Sequence, residues 1–251
     1  PVLVSNPETG GGTKDDPFTI PSLNTLEYYR DKINSNKTYG DSKQYSYASA
    51  NYELTANIDM SAKYHSGDGG ESWTPIDNFT GTFDGNGYTI SGLYINNTAG
   101  TYQGLFGALG RGGAIQNLTV SGTVTGGVYT GGIAGSNQGD IIDCVNRCEV
   151  TGSTFVGGIA GGNTGNQGEA AVQGCSNYGT ITCTSAVGAI SGGIVGANTD
   201  LTAQVGNCAN YGTVTGASGT TFGCIGGIAG ANYGKVTGSV NEEGTRITGG
   251  E

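Results

Sequence analysis

Apolar residues in the second half of the chain fall in short bursts that alternate with polar or glycine positions. Ile115-Gln-Asn-Leu118, Ile141-Ile-Asp-Cys144, Val172-Gln-Gly-Cys175, Val205-Gly-Asn-Cys208 and Val236-Thr-Gly-Ser239 share one such pattern. Thr123-Val-Thr125, Glu149-Val-Thr151, Thr180-Ile-Thr182, Thr213-Val-Thr215 and Arg246-Ile-Thr248 share a second. A period of two places alternate side chains on opposite faces and predicts strands with one buried side. A third element is more regular still: Gly131-Gly-Ile-Ala-Gly135, Gly157-Gly-Ile-Ala-Gly161, Gly192-Gly-Ile-Val-Gly196 and Gly226-Gly-Ile-Ala-Gly230 follow one another at 26, 35 and 34 residues. A unit repeated at that spacing predicts a solenoid, each turn of chain stacked on the last. The expected fold is all-β: a right-handed parallel β-helix with three short strands per coil.

Alternation also assigns the columns. Val124, Val150, Ile181, Val214 and Ile247 should stack inside, as should Ile133, Ile159, Ile194 and Ile228. Leu118, Cys144, Cys175 and Cys208 form another inward column, and its cysteines are expected to be free thiols acting as small apolar residues. Two asparagine columns remain: Asn137, Asn163, Asn198 and Asn232, and Asn146, Asn177, Asn210 and Asn241. An amide both donates and accepts, so stacked copies can form hydrogen-bonded ladders along the axis. The glycine-rich corners should supply positive φ and let successive coils approach closely.

The first hundred residues break the repeat. Asn24-Thr-Leu-Glu27 has the form of a capping box, and Leu26, Tyr29, Arg30 and Ile33 follow at helical spacing, predicting a helix over about 23–35. It would shield the open end of the solenoid, whose bare strand edges would otherwise recruit other chains. Three regions of one continuous domain are expected: an N-terminal segment with this capping helix (1–43), first, irregular coils (44–103), and regular repeats (104–251). The final strand pattern, close to Glu251, reads as part of a longer solenoid.

Composition narrows the chemistry. Glycine accounts for 50 of 251 residues and follows no collagen triplet, charged residues for only 12%, and the net charge is −10. A phosphate-backbone partner is therefore not expected, and no apolar run is long enough to span a bilayer. The scattered acids Asp140, Asp143, Glu149, Glu169, Asp200, Glu242 and Glu243 share no column, so no catalytic residue is predicted. Asp84-Gly-Asn86 lacks the further ligands of a calcium loop; no metal and no cofactor is expected. Contact residues are sought where the copies differ. The longest repeat carries extra residues at 164–170 and 184–190, including Thr164, Gln167 and Ser185, and Tyr178 and Tyr211 sit at equivalent Asn-Tyr-Gly corners.

Trp73-Thr-Pro-Ile76, the run Phe79-Thr-Gly-Thr-Phe-Asp-Gly-Asn-Gly-Tyr-Thr-Ile-Ser-Gly-Leu93, and Gly104-Leu-Phe-Gly107 resemble the GLUG-motif proteins of bacterial surfaces and secretions. The later Gly-Ile-Ala-Gly units are similar, with Ile in place of Leu, so the resemblance covers about residues 12–251. It implies a β-solenoid in an adhesin-like protein or in the non-catalytic part of a secreted immunoglobulin A1 peptidase. The His-Glu-x-x-His signature of that peptidase is absent, and His65 is the sole histidine. The expectation is a non-enzymatic, extracellular or cell-surface binding or spacer module whose partner is a host or bacterial surface protein or glycan. The alternative is an accessory, non-catalytic region of a secreted peptidase or glycan-active enzyme.

Overall fold

A computed structural model describes residues 7–40, 44–165, 170–217 and 223–249. The chain is a parallel β-solenoid. Its coils build one eight-stranded sheet (I), one ten-stranded sheet (II), one four-stranded sheet (III) and one five-stranded sheet (IV). Among the described strands, the single antiparallel pair is Thr38–Tyr39 with Tyr45–Ser46.

One coil illustrates the path. Asp140–Ile142 lies in sheet I, Val145–Gly152 in sheet II, Phe155–Gly157 in sheet III and Ala160–Asn163 in sheet IV. The Gly-Gly-Ile-Ala-Gly element, read from sequence as one strand, thus bends at its isoleucine and contributes to two sheets. The register matches the columns: Val124 pairs with Val150, Val150 with Ile181, Ile181 with Val214 and Val214 with Ile247. Ile133, Ile159 and Ile194 are buried, and so are Leu118, Cys144, Cys175 and Cys208.

The glycines of the repeat serve close approach rather than unusual backbone angles. A Cβ on Gly158 would lie 2.3 Å from the Gly193 carbonyl oxygen and 2.4 Å from Cγ of Asn177; on Gly132 it would lie 2.0 Å from Oδ1 of Asn146. The second glycine of each unit is the space into which an asparagine ladder fits. Positive φ falls instead on the residue preceding the inward cysteine column, at Asn117, Asp143, Gly174, Asn207 and Gly238. These are the residue types that enter the left-handed region at least cost.

The helix, α1, spans Leu23–Asn34. Its N-cap is Ser22, whose Oγ accepts from the Thr25 N–H at 3.4 Å, and not Asn24 as the capping-box spacing suggested. Glu27 does not complete a box, because its carboxylate accepts from Lys63 Nζ at 2.8 Å and from the Tyr64 hydroxyl at 2.5 Å. Leu26, Tyr29 and Ile33 form the buried face of α1, and Tyr29 stacks on Phe18 with ring centroids 5.0 Å apart. No helix among the described residues is long and apolar enough to cross a membrane.

Candidate functional site

Both asparagine columns lie inside except at their last members, Asn232 and Asn241, which are exposed. Asn137 Nδ2 donates to Asn163 Oδ1, Asn163 to Asn198, and Asn198 to Asn232, each at 2.8 Å. The second column runs Asn146 to Asn177 at 2.7 Å, then on to Asn210 and Asn241 at 2.8 Å. Asn177 also closes a local ring, accepting from the Gly179 N–H and donating to its carbonyl. Asn137, Asn163, Asn198, Asn146, Asn177 and Asn210 are fully buried, beyond the reach of any ligand. Cys144, Cys175 and Cys208 are buried free thiols, each directed at backbone carbonyls. Burial pushes the Cys175 thiol well above its ordinary pKa, and the Cys208 thiol is raised first by its Cys175 neighbour and then by burial.

The corner tyrosines are outside, and their geometry limits what they can hold. Tyr178 and Tyr211 are 43% and 44% exposed, with ring centroids 4.5 Å apart and planes 2° from parallel. The Arg147 guanidinium covers the other side of Tyr178, 4.4 Å from its centroid. Three of the four ring faces are thus covered, leaving the second face of Tyr211, the ring edges and the hydroxyls to a partner. Ser185 is half-buried in its loop, its hydroxyl bound to the Val187 carbonyl, and Gln167 lies outside the described residues.

Thr164 belongs to a different arrangement, one that sequence reasoning missed. Along the outer side of sheet IV runs a groove in two parts that meet at Tyr102. One part, about 340 Å³, is bounded by Tyr102, Tyr129, Ser136, Gln138, Thr164, Thr199 and Asp200. The other, about 430 Å³, lies between α1 and the early coils, with Asn34, Pro75, Asp77, Asn97, Tyr102 and Gln103 among its walls. The register Ile76–Phe106–Ala134–Ala160–Val195 shows that these positions span five consecutive coils. One wall is formed by Tyr102 and Tyr129, 5.5 Å apart, and Phe155 stacks on Tyr129 at 4.5 Å to continue the column of rings. Their spacing of 27 and 26 residues (102 to 129 to 155) was the signal available in the sequence.

Two features of this groove call for a physical reason. Tyr129 has φ 57°, a left-handed conformation that costs a bulky residue about 1–2 kcal/mol. It lays the ring across the outer face of sheet IV, where a Cβ on Gly162 would come within 2.9 Å of it. Asp200 accepts from both the Thr202 N–H at 2.8 Å and the Thr202 hydroxyl at 2.7 Å, and these bonds hold its pKa below the usual carboxylate value. Both bonds end on Oδ1, leaving Oδ2 for a ligand. Among the described residues, no group of three or more His, Cys, Asp or Glu side chains is placed to hold a metal ion.

The class this geometry defines is a parallel β-solenoid with a polar, aromatic-walled groove along one outer side. No family model matches the chain. A stretch covering 53% of it is 39% identical over 139 residues to halomucin of Haloquadratum walsbyi, of which it spans 1%. A stretch covering 55% is 35% identical over 145 residues to a protein assigned as a Gly-rich membrane protein of Evansella cellulosilytica, of which it spans 15%. The chain therefore corresponds to a small part of each of these relatives. Among solved structures, a crystal structure assigned as an immunoglobulin A1 protease from Bacteroides ovatus superposes with TM-score 0.70, covering 96% of this chain and 79% of that one at 21% identity. A likeness at that identity is one of fold.

Proposed function

We propose that the chain is a non-enzymatic, adhesin-like module displayed on or secreted from a bacterial cell, presenting an extended binding side to a surface protein or glycan. The observation that carries this reading is the division of labour between inside and outside. The inward columns carry the stacking, whereas outward positions such as Gln138, Thr164 and Thr199 change from coil to coil and stand beside exposed aromatic, amide and hydroxyl groups. The names of the relatives, a mucin and a membrane protein, fit a cell-surface setting. The fold shared with the Bacteroides ovatus protein supports a second reading, an accessory region beside a peptidase domain carried elsewhere.

An array of glycans and host surface proteins probed with the folded chain tests the proposal. Saturable capture by one class of target is the expected result. Absence of capture, with circular dichroism still reporting folded β structure, would refute the binding role. A proteolytic or glycan-cleaving activity intrinsic to this chain would refute the non-enzymatic one.

A further inference from the structure

Two side chains of low exposure, Ser136 and Gln103, lie beside Tyr102 at the groove. Ser136 is 7% exposed and borders the groove, where its hydroxyl is open to solvent. Gln103, 6% exposed, donates from Nε2 to the Tyr102 carbonyl at 2.8 Å, but its Oε1 is unpaired. Between them Tyr102 exposes 42% of its surface, and Gln138, Thr164 and Thr199 add an amide and two hydroxyls one coil apart from each other. The groove contains Asp77 and Asp200 and no lysine or arginine.

We infer that this groove is a binding site for an extended, uncharged, β-linked polysaccharide chain lying parallel to the solenoid axis. The inference deepens the binding role proposed above and rests on it. Hydroxyl-rich ligands are recognised by a ring for their apolar face and by amides, hydroxyls and carboxylate oxygens for their edges. The groove provides these together, whereas an anionic glycan would meet two carboxylates and no cation. Five coils at about 4.8 Å extend for roughly 20 Å, room for about four sugar units of a chain that repeats at nearly the coil spacing. Tyr102 would lie against a sugar ring, and Ser136, Gln138, Thr164 and Thr199 would bond its hydroxyls.

Native gel retardation of the full chain in soluble hydroxyethyl cellulose, mixed-linkage β-glucan and polygalacturonate tests this. The neutral polymers should retard the wild type and polygalacturonate should not. Tyr102→Ala should weaken binding at least tenfold, and Ser136→Tyr, which fills the groove, should abolish it. Should Ser136→Tyr fail to fold, Gln138→Ala, expected to weaken binding about threefold, takes its place beside Tyr102→Ala. Retardation that survives Tyr102→Ala and its companion variant unchanged would overturn the groove as the site. Stronger retardation by polygalacturonate would overturn the ligand class. Failure on all three polymers by a chain that still captures a target on the array would refute this inference and spare the binding role; failure on both would refute the two together.

Discussion

Nine buried aromatic side chains, from Phe18 to Phe106, fill the first coils, and among the described residues none is buried beyond them. Past Phe106 the interior is made of Val, Ile, Leu, Ala and Cys in register, with two asparagine ladders running through it. The first half resembles an ordinary globular core, in which each ring fits one place: Trp73 meets Tyr64 edge-on at 5.3 Å, carries Arg30 over its face at 4.4 Å and donates to the Leu105 carbonyl at 3.1 Å. The second half fits because each coil repeats the one before. Large irregular side chains suit the end that must join a helix to a coil; small identical ones suit stacking, where each added coil presents the surface it was added to.

The sharpest break of this contrast comes from Trp73→Ala. Emptying a fully enclosed indole site should cost about 3–5 kcal/mol, and Arg30 of α1 would lose the ring it lies on. In a stack where each coil contacts only its neighbours, damage stays local. Hydrogen exchange should therefore show lost protection before about residue 110 and near-wild-type protection in the ladders. Equal loss in both halves would show one cooperative unit and dissolve the distinction.

Asn177→Ala is the corresponding lesion in the repeats. It removes four hydrogen bonds and leaves the Asn146 amide and the Asn210 carbonyl oxygen short of a partner inside the core. The expected loss is about 2–4 kcal/mol by denaturant melting. Tyr52→Phe, which deletes the single 2.6 Å bond from Tyr52 to the Tyr47 carbonyl, should cost about 1 kcal/mol. Near-equal costs would mean that the ladders behave as separate bonds rather than as a column.

What the sequence made legible follows the same division. The inward columns and the asparagine register could be read because four or five copies align, and each copy checks the others. Near the helix there is one copy of everything. Ser22 and Asn24 are both acceptable caps, and what decides between them is the diversion of Glu27 to Lys63 and Tyr64, residues 36 and 37 positions away. The groove was missed for another reason. Tyr102, Tyr129 and Phe155 do recur at the coil spacing, but only three times and with a change of residue, while Ser136 and Gln103 differ from their counterparts. Repetition reveals the scaffold, and a site built from exceptions to it emerges only in three dimensions.

Alkaline pH offers a gentler probe of the two halves. Burial raises the Cys148 and Cys175 thiols, and burial followed by the Glu8 hydrogen bond pushes Tyr28 up to about 12. A group whose folded pKa is raised binds its proton more tightly in the folded state. Its stabilising effect is complete below the unfolded pKa and is lost as pH rises toward the folded one. Protection in the repeats should begin to fall above about pH 8.5, where unfolded thiols ionise, and in the aromatic half only above about pH 10. A Cys148→Ala, Cys175→Ala double variant should delay the fall in the repeats. Simultaneous softening of both halves would count against the assignment.

The smallest effect is expected at the corner where Tyr178, Tyr211 and Arg147 stack. Each ring is more than two-fifths exposed, so single alanine substitutions should cost no more than about 1 kcal/mol, and Arg147→Ala about 0.5–1 kcal/mol. The informative quantity is the coupling. Rings 4.5 Å apart and nearly parallel should show about 0.5–1 kcal/mol of interaction in a double-mutant cycle. Coupling of that size would make the corner an outer ladder, an aromatic counterpart of the buried asparagines one residue earlier, with its ring faces committed to the scaffold. Zero coupling would mean that the rings part easily and that their faces are open to a partner, which would move the search for contact residues from the sheet IV groove back to this corner.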